Sequence, residues 1–370
     1  MSALRKKGFT LVELLVVIGI IAVLIGILLP ALAKARNMAN TVKCSASLRS
    51  IGQGLAQYLV DYNGFYPASY AYVGQKVVGV TQTPETAVKG YIHWSSFIYG
   101  RKDLSIHYPQ EFTDSFGWEA FTCPSVDNGG LPADDPSAGN KDPGQNYDPA
   151  DTDNSTGLMP DYQAPRLAYT ANEAIMGRNK YVAGFQGAVR TYHYVRASRI
   201  RHSASVILVT EFNHDWHVVS DVSDADQSTL VCKSHRPVCA YESVVQIGSP
   251  GAYHVDLAGN LNGKNLIRVN ASMMTPNPNS TNILPGSTVS SLDWVGRNHG
   301  NATIGNLSYQ GAKGKTLVQP GWNFGTTNFL YCDGHVETKN IADTLGSNWE
   351  WGDEMYSLSP GDDIVGAQAP

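Results

Sequence analysis

The chain has 370 residues, enough for one large or two ordinary domains with a real core, so it is not a small scaffold that must be stapled to fold. Charged residues make up only 16%, while there are 36 Gly and 19 Pro, a composition that disfavours a helical bundle and favours short strands, turns and long loops. The net charge is −5 and no dense basic patch occurs, so a nucleic-acid partner has no electrostatic support.

The amino terminus carries the strongest pattern. Arg5, Lys6 and Lys7 precede Gly8, and Phe9-Thr10-Leu11-Val12-Glu13 leads into Leu14 to Leu29, sixteen residues without a charge. Counted from Phe9 to Ala33, the run is 25 residues with Glu13 as its single acid, long enough to cross hydrocarbon as a helix. A secretory signal has a shorter apolar stretch and a small-residue cleavage site on its far side. Here the glycine stands on the near side, so a cut after Gly8 leaves the apolar helix on the mature protein. Such a cut removes three basic residues and takes the net charge to −8. The basic flank should stay cytoplasmic, which puts all five cysteines in an oxidising space. Gly8 has no side chain and lets the backbone lie extended in a protease cleft. Glu13, alone in an apolar helix, is costly in lipid unless it finds a partner.

Lys6-Lys7-Gly8-Phe9-Thr10-Leu11-Val12-Glu13 resembles the leader of type IV prepilins and type II secretion pseudopilins. That resemblance implies a prepilin peptidase as one partner, cleavage between Gly8 and Phe9, and N-methylation of Phe9. It also implies other pilin-like subunits as partners in a homo- or heteropolymeric filament, with Glu13 of one chain neutralising the Phe9 amine of another. A buried ion pair is weak evidence of stability and is better attested as a register device. The implied fold class is α+β, a long N-terminal helix packed on an antiparallel β-sheet with large loop-rich insertions. The chain then divides into a leader at 1–8, a transmembrane or filament-core helix at 9–33, an amphipathic continuation at 34–64 and an exported head at 65–370. It would be a single-pass protein of the bacterial inner membrane, in contact with its lipid, with the head in the periplasm or, after assembly, on the cell surface.

Pro30 cannot donate its amide and should kink or loosen the helix. Beyond it, Cys44, Leu48, Ile51, Leu55, Tyr58 and Tyr62 recur at helical spacing and define one packed face. Asn63-Gly64 is a stop signal. After Phe65 the periodicity weakens, and three landmarks resemble a subset of pseudopilin-like proteins with large, divergent heads. They are Phe121-Thr122-Cys123-Pro124-Ser125; Ala197-Ser198-Arg199-Ile200 with the apolar strand Val206 to Glu211; and Asn298-His299-Gly300 followed by Asn328 to Val336. In that subset the last is a His to Asp-Gly segment associated with processing. Here His299 and Asp333 are much further apart than in the family's compact form. Asp333-Gly334-His335 reads as a tight hairpin turn, with a catalytic or metal role for His335 as the alternative.

The same resemblance implies a disulfide between Cys44 on the helix and Cys123 in the Cys-Pro turn. It would close a loop of about 80 residues and contribute on the order of 4 kcal/mol. Cys232 and Cys239 look like a local hairpin pair, which leaves Cys332 as a small apolar residue in its strand. A zinc site at Cys232, His235 and Cys239 lacks a fourth ligand.

Two further clusters carry metal-type residues. Glu211, Asp215 and His217 lie in Glu211-Phe212-Asn213-His214-Asp215-Trp216-His217 and share one side if the segment is extended. Asp148, Asp151 and Asp153, with Ser155, have calcium-loop spacing, but Thr156 and Tyr162 stand where an EF-hand needs Gly and Glu. No cofactor is expected beyond that candidate structural calcium. Gly314-Lys315-Thr316 has Tyr309 in place of the first glycine of a phosphate loop, and no His-Glu-x-x-His or Gly-x-Ser-x-Gly occurs, so no enzyme is expected. The main expectation is a structural filament subunit. The alternative is a membrane-anchored extracytoplasmic protein that binds a ligand such as a glycan, drawing on its 7 Trp and 19 Tyr.

Overall fold

The computed structural model describes residues 10–72, 91–99, 118–133, 163–177, 193–214, 216, 219–222, 230–243, 266–269, 291–300, 306–310, 316–320 and 325–357. One helix, α1 (Leu11–Asp61), runs for 51 residues, about 75 Å at the α-helical rise. Pro30 lies inside it, so the Gly26 carbonyl is left without its i+4 amide while the helix continues on both sides. α1 ends where the sequence predicts, because Asn63 and Gly64 take left-handed conformations (φ 54° and 81°). Of the predicted face, Cys44, Leu48, Ile51, Leu55 and Tyr58 are buried, while Tyr62 stays 43% exposed and stacks on Tyr58 at 4.1 Å.

The remaining strands in chain order are β1 (Tyr70–Tyr72), β2 (Tyr91–His93), β3 (Tyr169–Ala171), β4 (Ile207–Glu211), β5 (Ser220–Val222), β6 (Leu230–Cys232), β7 (Tyr241–Ser243), β8 (Leu266–Arg268), β9 (Asn306–Gln310), β10 (Thr316–Pro320), β11 (Thr327–Tyr331) and β12 (Val336–Lys339), with a short helix α2 (Trp94–Tyr99) after β2. β12, β11, β4 and β3 form the main sheet in that order, every pair antiparallel. The protein is therefore α+β, a long helix against an antiparallel sheet.

β4 and β11 are buried at all five positions, as expected of central strands covered on both faces. The second half of α1 covers one of those faces. Leu48, Ile51 and Leu55 join Phe121, Val209, Phe329 and Leu330 in one core. The helix packs tightly at Gly52, where a Cβ would stand 2.9 Å from Leu330 Cδ1. A side chain there would force the end of the Leu330 side chain to shift. The turn at Cys332 to His335 joins β11 to β12 as the sequence predicts, with Gly334 at φ 93°.

The cysteines divide differently from expectation in one respect. Cys44 and Cys123 are joined, with a Cα–Cα distance of 5.0 Å. Cys232 and Cys239 are not bonded to each other, and both are buried thiols. The cause is the path of the chain between them. Cys232 is held in β6 opposite Ser220, whereas Val238 leaves that hairpin to bridge Asn172 beside β3, carrying Cys239 toward Tyr241 and Met355. Cys332 lies just past β11 in a partly exposed turn. Burial of its thiol, only partly offset by a hydrogen bond with Tyr66, pushes its pKa up to about 12. Iodoacetamide at pH 8 should therefore label none of the three thiols outside the disulfide in the folded protein and all three after denaturation without reductant, read by intact mass. Rapid labelling of one thiol in the folded state would show that Cys332 is available as thiolate.

Candidate functional site

The helix start is built by a side chain that pattern reading of the apolar run passed over. Thr10 is the N-cap of α1, and its hydroxyl accepts from the Glu13 amide at 3.3 Å. Glu13 Oε2 in turn accepts from the Thr10 amide (2.9 Å) and the Thr10 hydroxyl (2.8 Å). This is a capping box, and Thr10-Leu11-Val12-Glu13 carries its sequence signature. The carboxylate therefore has an intrachain role before any neighbour arrives. Gly8 and Phe9, the expected cleavage pair, lie outside the described residues.

From Thr10 to Ala39 every residue of the chain is solvent-exposed, although most of the run is Leu, Ile and Val. The helix is long and apolar enough to cross a membrane, and none of its apolar window is covered by the head. Water is not a tolerable environment for such a surface. Among the described residues, burial of α1 against the head begins at about Asn40. Tyr169 donates its hydroxyl to the Cys44 carbonyl (3.1 Å), shared with the Thr122 carbonyl (3.3 Å). Burial, then the nearby Glu211 charge, push Tyr169 well above the usual phenol range, so it stays a donor. Ser47 donates to the Thr122 carbonyl at 3.4 Å and Asn328 to the Thr41 carbonyl at 3.4 Å. With the Cys44–Cys123 bridge, these contacts tie the helix to both the Cys-Pro turn and the central strand β11.

Beneath this junction lies a buried polar cluster. Glu211, at the end of β4, is fully buried, and its two oxygens lie 3.1 and 2.9 Å from His299 Nε2. Thr327 Oγ1 (3.1 Å) and the Asn328 amide (3.3 Å) donate to Oε2, and Asn328 Nδ2 donates to Oε1 (2.8 Å). The other imidazole nitrogen, Nδ1, meets Ser125 Oγ at 3.3 Å. His299 is brought here although residues 301–325 separate it from β11. Its amide and carbonyl bridge Thr326 at 3.1 and 2.9 Å, so the excursion that contains β9 and β10 leaves and returns at one place. Gly325 closes that excursion at φ 83°, where a Cβ would fall 2.6 Å from the Arg297 carbonyl.

Among the predicted site residues, His299 does not partner Asp333. Asp333 instead accepts from the His335 amide (3.1 Å) and faces its Nδ1 (2.5 Å), a turn-stabilising arrangement. His335 stacks on Tyr331 at 4.2 Å. Of the proposed metal set Glu211, Asp215 and His217, only Glu211 is described, and its oxygens are occupied as above. Asp148, Asp151 and Asp153 lie outside the described residues. Cys232, His235 and Cys239 do not form a ligand group, and the His235 ring packs edge-on against Tyr70 at 4.9 Å. The Glu211–His299 pair was missed because 88 residues separate its members and neither sits in a motif that names the other.

Residues 4–29 match the model of the prokaryotic N-terminal methylation motif. The chain is 34% identical over 95 residues to a type IV wide pilus major component, PilA4, of Thermus thermophilus, an alignment that covers 26% of this chain and 70% of that protein. No solved structure matches.

Proposed function

The chain belongs to the type IV pilin superfamily, and from that premise we propose that it is a structural subunit of a type IV pilus-like filament, cut between Gly8 and Phe9 by a prepilin peptidase and N-methylated at Phe9. The observation that carries this reading is the bare apolar half of α1. A surface of that kind has two stable environments, the bilayer before assembly and the helices of identical neighbours after it. Lipid is as apolar as leucine, so the second environment must win through close packing and polar pairing. Gly19 and Gly26 stand seven residues apart on one face, where a Cβ would meet no other described side chain or segment within 4 Å, and let another helix approach closely. A pilus is favoured over a type II secretion filament by the relative's own description as a major pilus component. The relationship to a structural pilin also supports a role without catalysis.

Single cysteines placed at Leu11 and Leu14 test the reading, because every native cysteine lies far along the chain. Oxidation of cells expressing one chain that carries both substitutions should trap a ladder of dimers, trimers and higher species on a non-reducing gel. Monomers alone would contradict a filament and fit the tethered ligand-binding alternative.

A further inference from the structure

Four ligand-type side chains from four separate parts of the fold converge beneath α1. Cys44 comes from the helix, Cys123 from the Cys-Pro turn, Glu211 from the end of β4, and His299 from the segment that bridges Thr326. All four are buried, and their ligand atoms lie within 4.8 Å of one another. The two sulfurs are bonded to each other here, and a metal requires them as thiolates. Two thiolates, one imidazole and one carboxylate are a zinc donor set. Tetrahedral zinc bonds of about 2.0–2.3 Å place neighbouring ligand atoms roughly 3.3–3.8 Å apart, inside the observed spread.

The surroundings also suit a metal. Ser125 Oγ stands at His299 Nδ1, where it can accept a hydrogen bond from Nδ1–H and leave Nε2 as the ligand. Thr327 and Asn328 orient the Glu211 carboxylate. A metal at this point would fasten the same elements that the disulfide fastens.

We propose that this junction has two mutually exclusive closed states: a disulfide when oxidised, and a four-coordinate zinc site of Cys44, Cys123, Glu211 and His299 when reduced. A dithiol reductant supplies two electrons and two protons to the Cys44–Cys123 bond and itself becomes a disulfide. Zinc then binds as both thiol protons leave, the Glu211–His299 hydrogen bond gives way to two bonds to the metal, and the imidazole proton resides on Nδ1. The inference goes beyond the filament reading and does not depend on it.

The test uses the full mature protein in detergent, oxidised or opened with a phosphine, which takes up an oxygen atom from water. Each form is then equilibrated with zinc, or with cobalt as a coloured substitute. The oxidised protein should bind no zinc and the reduced protein one per chain, with thiolate-to-cobalt charge transfer and the absorption of tetrahedral cobalt. His299→Gln and Glu211→Gln should each weaken zinc binding roughly tenfold or more, while Cys232→Ser with Cys239→Ser should leave it unchanged. No uptake by reduced, folded protein, equal uptake by the oxidised form, or uptake that follows Cys232 and Cys239 would each overturn the proposal. The contrast between oxidised and reduced wild type decides it even if a variant fails to fold.

Discussion

Glu13→Gln should give mature, correctly cut protein and almost no filaments, while Thr10→Ala should assemble. The two substitutions separate two roles of one carboxylate. In the isolated chain Glu13 closes a capping box with Thr10, through its own acceptance of the Thr10 amide and hydroxyl. Glutamine can also serve at that capping position, so Glu13→Gln keeps the local geometry and removes only the charge. Thr10→Ala removes the cap's hydroxyl from a helix of 51 residues whose stability comes chiefly from its surroundings. If the charge exists to meet the methylated amine of a neighbouring Phe9, its loss leaves a cation unpaired among apolar helices, and assembly should fall at least roughly tenfold. Sheared surface filaments, normalised to mature protein in the membrane, measure this directly. Wild-type filament yield from Glu13→Gln would show that Glu13 is needed for the cap alone.

The parts of this protein legible in its sequence are those whose cause is local. The apolar run, the stop at Asn63-Gly64 and the packed face from Cys44 to Tyr58 follow from spacing within a few residues, and the structure has each where spacing puts it. The hairpin at Asp333-Gly334-His335 was legible for the same reason, since the turn needs a glycine at positive φ. What failed was inference by proximity in sequence. Cys232 and Cys239 are seven residues apart, yet the chain between them leaves one hairpin for the edge of another sheet. His299 and Asp333 stay apart, as their long separation implied, and the β9–β10 excursion, tied off at Thr326, instead brings His299 to Glu211. Its partner Glu211 was legible as the end of an apolar strand and as a metal-type residue grouped with Asp215 and His217, but not as the partner of His299. Nothing short of the register of β4 against β11 shows that residue 211 ends beside residues 327 and 328.

Glu211→Leu should lower stability by about 3–5 kcal/mol, far more than an ordinary core substitution, because it orphans several groups at once. The buried carboxylate accepts from Thr327 Oγ1, from the Asn328 amide and from its side chain, and it faces His299. Leucine fills similar space and satisfies none of them. His299→Leu should cost a comparable amount, since it leaves the carboxylate without its imidazole. The double variant should recover part of the loss, because an apolar pair of similar volume avoids the desolvation of two polar groups, although the Thr327 hydroxyl and the Asn328 amide still lose the acceptor that Glu211 gave them. Urea unfolding of the detergent-solubilised protein, with the Cys44–Cys123 bridge intact in every variant, reads the three values on one scale. Strict additivity of the two single losses would mean that the two residues act independently. Positive coupling of the kind expected for contacting groups would make them one polar latch, holding β4 to β11 under the point where α1 joins the head.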